Sequence, residues 1–198
     1  MKLITYYADG VLHLSGLCFE ASSLYSSFSA QCFSEKINII DSMLFSRVGG
    51  VKILFFYISK PIEIKIIFLL LNSFFNKENW ELVLDVDVEL YDEAISIINE
   101  FLYNNWSLSL RDFGKGKNSL LLLKRLPLKY LRVASCFIID VEKNRDSRYI
   151  LKSICEISEY ANIFTIADDV SSIDKLTTLS QIGVDYFIVD PAFYSENC

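Results

Sequence analysis

Thiols, imidazoles and clustered cations are the groups in this sequence with the plainest chemistry. Cys18, Cys32, Cys136, Cys155 and Cys198 are scattered through the chain, and His13 stands alone. No CxxC pair and no Cys/His spacing marks a zinc site, and a single histidine cannot complete one. Reduced thiols in a cytosolic protein are the simplest reading of an odd, dispersed set. Phosphate chemistry would call on the densest run of cations, Lys115, Lys117, Lys124, Arg125, Lys129 and Arg132. That run is open to two readings, a phosphate-binding patch or a solvated helical face with loop charges around it. The formal net charge of -6 weighs against direct binding of DNA or RNA, because nucleic-acid affinity comes largely from Lys and Arg neutralising phosphates.

A fold must hold these groups, and the composition bounds it. With 198 residues, 52% of them hydrophobic and 22% charged, the chain is expected to be one globular domain, 1–198, able to bury a sizeable core. Only seven Gly and three Pro are present, which leaves little material for a linker that would divide it. The first 14 residues show no apolar stretch followed by a cleavage site. The greasiest segment, 51–75, is interrupted by Lys52, Lys60, Glu63 and Lys65 and split by Pro61. Its charge-free remainder from Ile66 falls short of the ~20 residues a membrane helix needs. It reads as a buried strand and then a buried helix, so no membrane partner is expected.

Short apolar runs alternate with helix-length amphipathic ones. Strands are predicted at 2–7, 12–19, 51–58, 82–88, 107–110, 130–133, 163–166 and 186–189. They are rich in Val, Ile, Leu, Phe and Tyr, as strands covered on both faces should be. Helices are predicted at 61–75, where Pro61 sits in the first turn, at 90–103, with Ala94, Ile97, Ile98, Phe101 and Leu102 at helical spacing, and at 118–126, 145–160 and 172–181. Ser172 is a candidate N-cap and Gly183 a candidate terminator of the last. Such alternation implies a mostly parallel sheet, and about seven or eight strands favour a TIM-like barrel over a doubly wound sheet.

Several segments carry a resemblance. Arg111-Asp112-Phe113-Gly114-Lys115-Gly116-Lys117-Asn118-Ser119-Leu120 resembles the DDFGTGxSSL segment of EAL domains, the cyclic di-GMP phosphodiesterase family. Leu123 to Pro127 resembles its LxxLP, Leu131-Arg132-Val133-Ala134 its LKID, Ile166 to Val170 its IAEGVE, and Gly183 to Val189 its GxDYxQG. The successive intervals Arg111 to Arg132, Arg132 to Asp168 and Asp168 to Ile188 are 21, 36 and 20 residues, similar to the family's spacing without insertions. Upstream the likeness is looser: Leu84 to Asp87 resembles the EIT region, Tyr57-Ile58-Ser59 an NxS, and Gly16 to Ser22 a GxEAL with one extra residue. The resemblance implies an α/β fold, a TIM-like (β/α) barrel of the EAL type. It also implies a shortened N-terminal part, because the stretch between Glu20 and Tyr57 is some two dozen residues shorter than expected. A helix of the barrel wall, with or without a strand, is expected to be missing or abbreviated there.

In EAL domains, carboxylates and an Asn at strand ends hold two Mg2+ or Mn2+ ions that activate the attacking water. Carried onto this chain, Glu20, Asp85, Asp112 and Asp168 keep carboxylates, the second and fourth one methylene shorter than Glu. Tyr57 stands in place of the Asn ligand, and phenol is a poor ligand for a hard cation. Arg111 stands in place of the first Asp of DD, reversing a charge where one charge pair at ~4 Å is worth about 4 kcal/mol at an effective dielectric of ~20. Arg132 replaces the catalytic Lys, Ala134 the acidic residue of KID, Ile188 the Gln, and Leu24 the phosphate-gripping Arg. The plainer outcome for Glu20, Asp85 and Asp112 is pairing with Arg111 and Arg132 in a closed barrel mouth. Phe113-Gly114 and Gly116 then persist for the loop's backbone geometry.

With these replacements the resemblance implies a non-catalytic, cytoplasmic regulator with no metal or nucleotide cofactor, acting through a protein partner. Short degenerate EAL proteins such as the YdiV-like anti-activators make FlhD, of the flagellar master activator FlhD-FlhC, the best candidate, with flagellar gene expression and motility reduced on binding. Two alternatives stay open: a cyclic di-GMP receptor that does not hydrolyse, and a weak metal-dependent phosphodiesterase using Glu20, Asp85, Asp112 and Asp168.

Overall fold

The computed structural model describes residues 2–8, 11–20, 52–58, 60–61, 63, 67, 80–116 and 120–197. Eight strands close into one barrel in chain order: β1 (Lys2–Ala8), β2 (Val11–Glu20), β3 (Lys52–Tyr57), β4 (Trp80–Val86), β5 (Ser107–Phe113), β6 (Leu128–Val133), β7 (Phe164–Ala167) and β8 (Tyr186–Val189). β1 runs antiparallel to both its neighbours, β2 and β8, and every other pairing is parallel. The described wall helices are α1 (Val88–Tyr103), α2 (Leu121–Arg125), α3 (Arg145–Tyr160), α4 (Ile173–Ile182) and α5 (Pro191–Asn197), with a 3-10 turn at Ser135–Phe137. Among the described residues no helix is long and apolar enough to cross a membrane.

Local chemistry sets the element ends. Asp87 accepts from the Leu90 N–H at 2.7 Å and caps α1, so β4 stops at Val86, short of the expected 88. Asn144 accepts from Asp146 and Ser147 to open α3. Ser172 caps α4 by accepting from the Lys175 N–H at 3.1 Å, and Gly183 ends it in a left-handed conformation. β5 continues three residues beyond the expected 107–110, because charged side chains at a barrel mouth do not break a strand whose backbone is still paired. A register shift lies between Leu110 and Phe113, and Asp112 has φ 54°, the signature of a bulge. α2 is shorter than expected, and α5 and the 3-10 turn add to the expected elements. Pro191 at the first helical position was the available signal for α5. Pro61, Glu63 and Ile67 are helical, while most of the expected 61–75 helix lies outside the described residues.

Strand parity divides the core in two. Outward residues such as Leu54, Phe56, Leu84, Leu110, Leu131 and Val189 join the helices in the larger cluster. Ile4, Cys18, Ile53, Phe55, Val83, Tyr130, Ile166 and Ile188 form a smaller cluster inside the barrel. Gly16 lets β2 and β3 approach: a Cβ there would lie 2.0 Å from the Ile53 carbonyl oxygen. The expectation of a lost strand is corrected, since all eight close the ring. The wall helix expected to be abbreviated falls within 21–51, outside the described residues.

Candidate functional site

The inward parity that fills the barrel with Ile53, Phe55, Val83, Tyr130, Ile166 and Ile188 places Tyr57, Asp85, Arg132 and Asp168 at or beyond the strands' C-terminal ends. Successive inward positions are two residues apart, so the alternation that packs the barrel also assembles the polar mouth. Asp85 is fully buried and Arg132 nearly so. The Arg132 guanidinium bridges two carboxylates, Nη1 donating to Asp85 Oδ2 and Nη2 to Asp168 Oδ2. Ser109 Oγ donates to the other Asp85 oxygen at 2.7 Å. Lys2 Nζ donates to the other Asp168 oxygen at 3.1 Å and to Asp169 at 2.9 Å. All four carboxylate oxygens of Asp85 and Asp168 therefore have donors on them.

Protonation follows from this arrangement. Burial works against the charge on Arg132, but its surroundings, the carboxylate of Asp85 foremost and that of Asp168 among them, outweigh it, and the guanidinium is held more firmly protonated than usual. Burial would raise the Asp168 carboxyl, yet Arg132 and Lys2 hold it below the ordinary carboxylate value. Burial pushes the Cys18 thiol up to about 12, so it remains a neutral part of the inner wall.

Beside this bridge, the Arg111 guanidinium lies 3.5 Å from the Tyr57 ring centre and donates to Tyr57 Oη at 2.6 Å. Its Nε is 3.6 Å from Asp112 Oδ2. The loop beyond turns through Gly114 (φ 93°) and Gly116 (φ 64°), and at Gly114 a Cβ would come within 2.5 Å of the Phe137 ring.

Of the sequence candidates, the structure thus brings together Tyr57, Asp85, Arg111, Asp112, Arg132 and Asp168. Ala134 and Ile188 are buried and present no polar group. Glu20 ends β2 with its backbone opposite Tyr57, and its side chain lies outside what is described, as does all of Leu24. The expectation that Arg111 and Arg132 pair with local carboxylates holds for Arg132–Asp85 and Arg111–Asp112, but it omitted Asp168, the second arm of the Arg132 bridge. It also missed Lys2 and Ser109. Ser109 carried a faint signal, a small polar residue at inward parity in an apolar strand. The cationic run does not form one patch: Arg132 points into the mouth, whereas Lys129 pairs with Glu81 at 2.7 Å. Glu81 also accepts from Ser107 and Tyr130. His13 stacks on Tyr6, with ring centres 4.9 Å apart.

Chemically, a carboxylate ligates a hard cation through free lone pairs, and here those directions carry N–H and O–H donors. Among the described residues no three His, Cys, Asp or Glu side chains come together in a way that could hold a metal ion. For a divalent ion to use Asp85 and Asp168, the Arg132 cation between them must first leave.

Comparison with known proteins places this geometry in context. The EAL domain family matches residues 62–188. The cyclic di-GMP phosphodiesterase PdeR of Escherichia coli K12 is 28% identical over 108 residues, which is 50% of this chain and 16% of PdeR. An EAL enzyme solved with cAMP and cyclic di-GMP bound superposes with a TM-score of 0.70 at 14% identity, covering 98% of this chain and 60% of the other. The FimX EAL domain of Xanthomonas citri, in complex with cyclic di-GMP, gives a TM-score of 0.59 at 21% identity over 80% of this chain and 65% of its own. At these identities the structural likeness is one of fold. This chain spans only about a sixth of the length of PdeR.

Proposed function

This chain belongs to the EAL domain family, and we propose that within it the chain is a non-catalytic member that regulates by binding another protein. The observation that carries this reading is the Arg132 bridge, which puts a permanent cation on the oxygens of Asp85 and Asp168, the counterparts of metal-holding carboxylates. The Arg111–Tyr57 pair adds a second cation beside it. A dication brought within ~4 Å of such a charge would meet a repulsion of about 8 kcal/mol, twice the unit-charge value, at an effective dielectric of ~20. The donor set does not fit the family's metal pair. Purified protein with Mg2+ or Mn2+ should leave cyclic di-GMP intact. Linear pGpG above the no-enzyme blank, abolished by Asp112→Ala, would overturn the reading. Reverting Arg111→Asp alone should not restore turnover, since Tyr57, Arg132, Ala134 and Leu24 each remove another part.

A ligand-binding role without hydrolysis is separated by calorimetry. The mouth's cations are already committed to its own carboxylates, so titration with cyclic di-GMP should give no isotherm at tens of micromolar, and a clear micromolar isotherm would move the assignment to a receptor. As partner we propose FlhD of the flagellar activator, which goes with a cytoplasmic location and repression of motility. This rests on likeness to YdiV-like anti-activators. Co-purification with FlhD and reduced swimming on overexpression are expected. Failure of both would remove the flagellar partner and leave the non-catalytic reading to the hydrolysis assay.

A further inference from the structure

Far from the mouth in chemistry, an open groove of about 700 Å3 lies between α3 and α4. Lys143, Arg145, Arg148 and Lys152 line it against one carboxylate, Glu142, in a chain of net charge -6. Arg145, Arg148, Tyr149 and Lys152 fall at i, i+3, i+4 and i+7 of α3, so they share one face. At 1.5 Å per residue the row is about 10 Å long.

These cations are little neutralised. Lys152 reaches Glu156 at 4.0 Å, whereas among the described residues no carboxylate lies within ion-pair distance of Lys143, Arg145 or Arg148. Arg145 instead donates to Tyr149 Oη at 2.9 Å and lies 5.1 Å from its ring centre. Arg148 is pinned to backbone carbonyls, its Nε donating to Val141 O at 2.6 Å and its Nη2 to Glu142 O. The one carboxylate, Glu142, has Ser172 Oγ 3.5 Å away.

We propose that this groove docks an acidic segment of a protein partner. The proposal deepens the protein-binding reading above and rests on it. An extended segment sets alternate side chains on one face every ~6.8 Å, so two successive same-face carboxylates fit within the ~10 Å row from Arg145 to Lys152, and the long Arg and Lys side chains take up the difference in spacing. A small anion fits less well: the cations form a row and do not converge on a point, and Asn144 already takes the first N–H groups of α3. Nucleic acid fits less well because the chain as a whole is acidic.

The test is fluorescence anisotropy of a short fluorescein-labelled peptide of alternating Glu and Ser with the full chain, at low and moderate salt. Saturable, salt-sensitive binding is expected. It should weaken roughly tenfold or more in Arg145→Glu/Lys152→Glu, where two charge contacts are reversed. It should persist in Lys124→Glu/Arg125→Glu, which reverses exposed cations of α2. Both pairs are exposed, and circular dichroism checks that each variant folds. Any of four results overturns the proposal: no saturable binding, equal loss in the α2 variant, equal competition by a single-stranded oligonucleotide, or a sedimentation change in the α3 variant without peptide, which would mark an interface between copies. Its failure is distinct from that of the non-catalytic reading. Peptide binding with cyclic di-GMP turnover keeps the groove and sinks that reading, whereas neither binding nor turnover does the reverse.

Discussion

Arg132 is a side chain whose removal would leave a fully buried carboxylate, Asp85, with, among the described residues, only the Ser109 hydroxyl to answer it. Breaking a buried pair by deleting one partner costs about 3–5 kcal/mol, because the remaining charge is uncompensated. Arg132→Met should lower the unfolding free energy by that order in urea, and adding Asp85→Asn to it should recover part of the loss. A loss below about 1 kcal/mol in the single variant would mean that the bridge does not hold in solution. Asp168 adds a pH dependence. Its folded carboxyl sits below the ordinary value of about 3.9, so its stabilising contribution is complete above that value. The contribution is lost as pH falls through the ordinary value toward the lower folded one. Urea unfolding at pH 7 and near pH 3 should show this fall, and Asp168→Asn should flatten it. Asp85, Arg111, Arg132 and Asp168 were legible as a group through the resemblance of their segments to the family's motifs and the intervals between them. Lys2 was not, because its contact with Asp168 joins residues 166 apart through an antiparallel strand, which no local pattern announces.

At the scale of elements, parity and caps were the readable part. The 145–160 helix and the 186–189 strand have the expected ends, and Ser172 and Gly183 bound α4 as their chemistry requires. The ends of β4 and β5 were not readable. There the chain passes from wall to mouth, and the boundary depends on Asp87 capping and on a bulge at Asp112. The tightest joint in the wall is Gly16 against the Ile53 carbonyl. Because the obstacle is neighbouring backbone and not a mobile side-chain end, Gly16→Ala should cost more than about 4 kcal/mol, at the far end of single-substitution effects. The measurement is the thermal or urea midpoint of the purified variant. A midpoint within error of the parent would show that β2 and β3 can separate there.

The whole molecule is a closed barrel with one polar cluster about Glu81, another about Arg132, and an apolar layer between them that includes Phe55, Val83 and Ile166. The alternation of apolar strands and amphipathic helices made the barrel legible. The sequence motifs then indicated which end of the strands carries the polar mouth. What the sequence left undecided was whether the surviving carboxylates stay open for metal or fold back on the arginines. That choice depends on three-dimensional distance, and here the guanidinium of Arg132 lies between Asp85 and Asp168. The most direct test is titration of Mn2+ into the purified chain, following the paramagnetic resonance of free ion. If the bridge closes the mouth, free Mn2+ should rise in proportion to what is added, alike in the parent and in Asp85→Asn. Stoichiometric uptake of Mn2+ by the parent, lost in Asp85→Asn, would show that the carboxylates remain a metal site and would contradict the account.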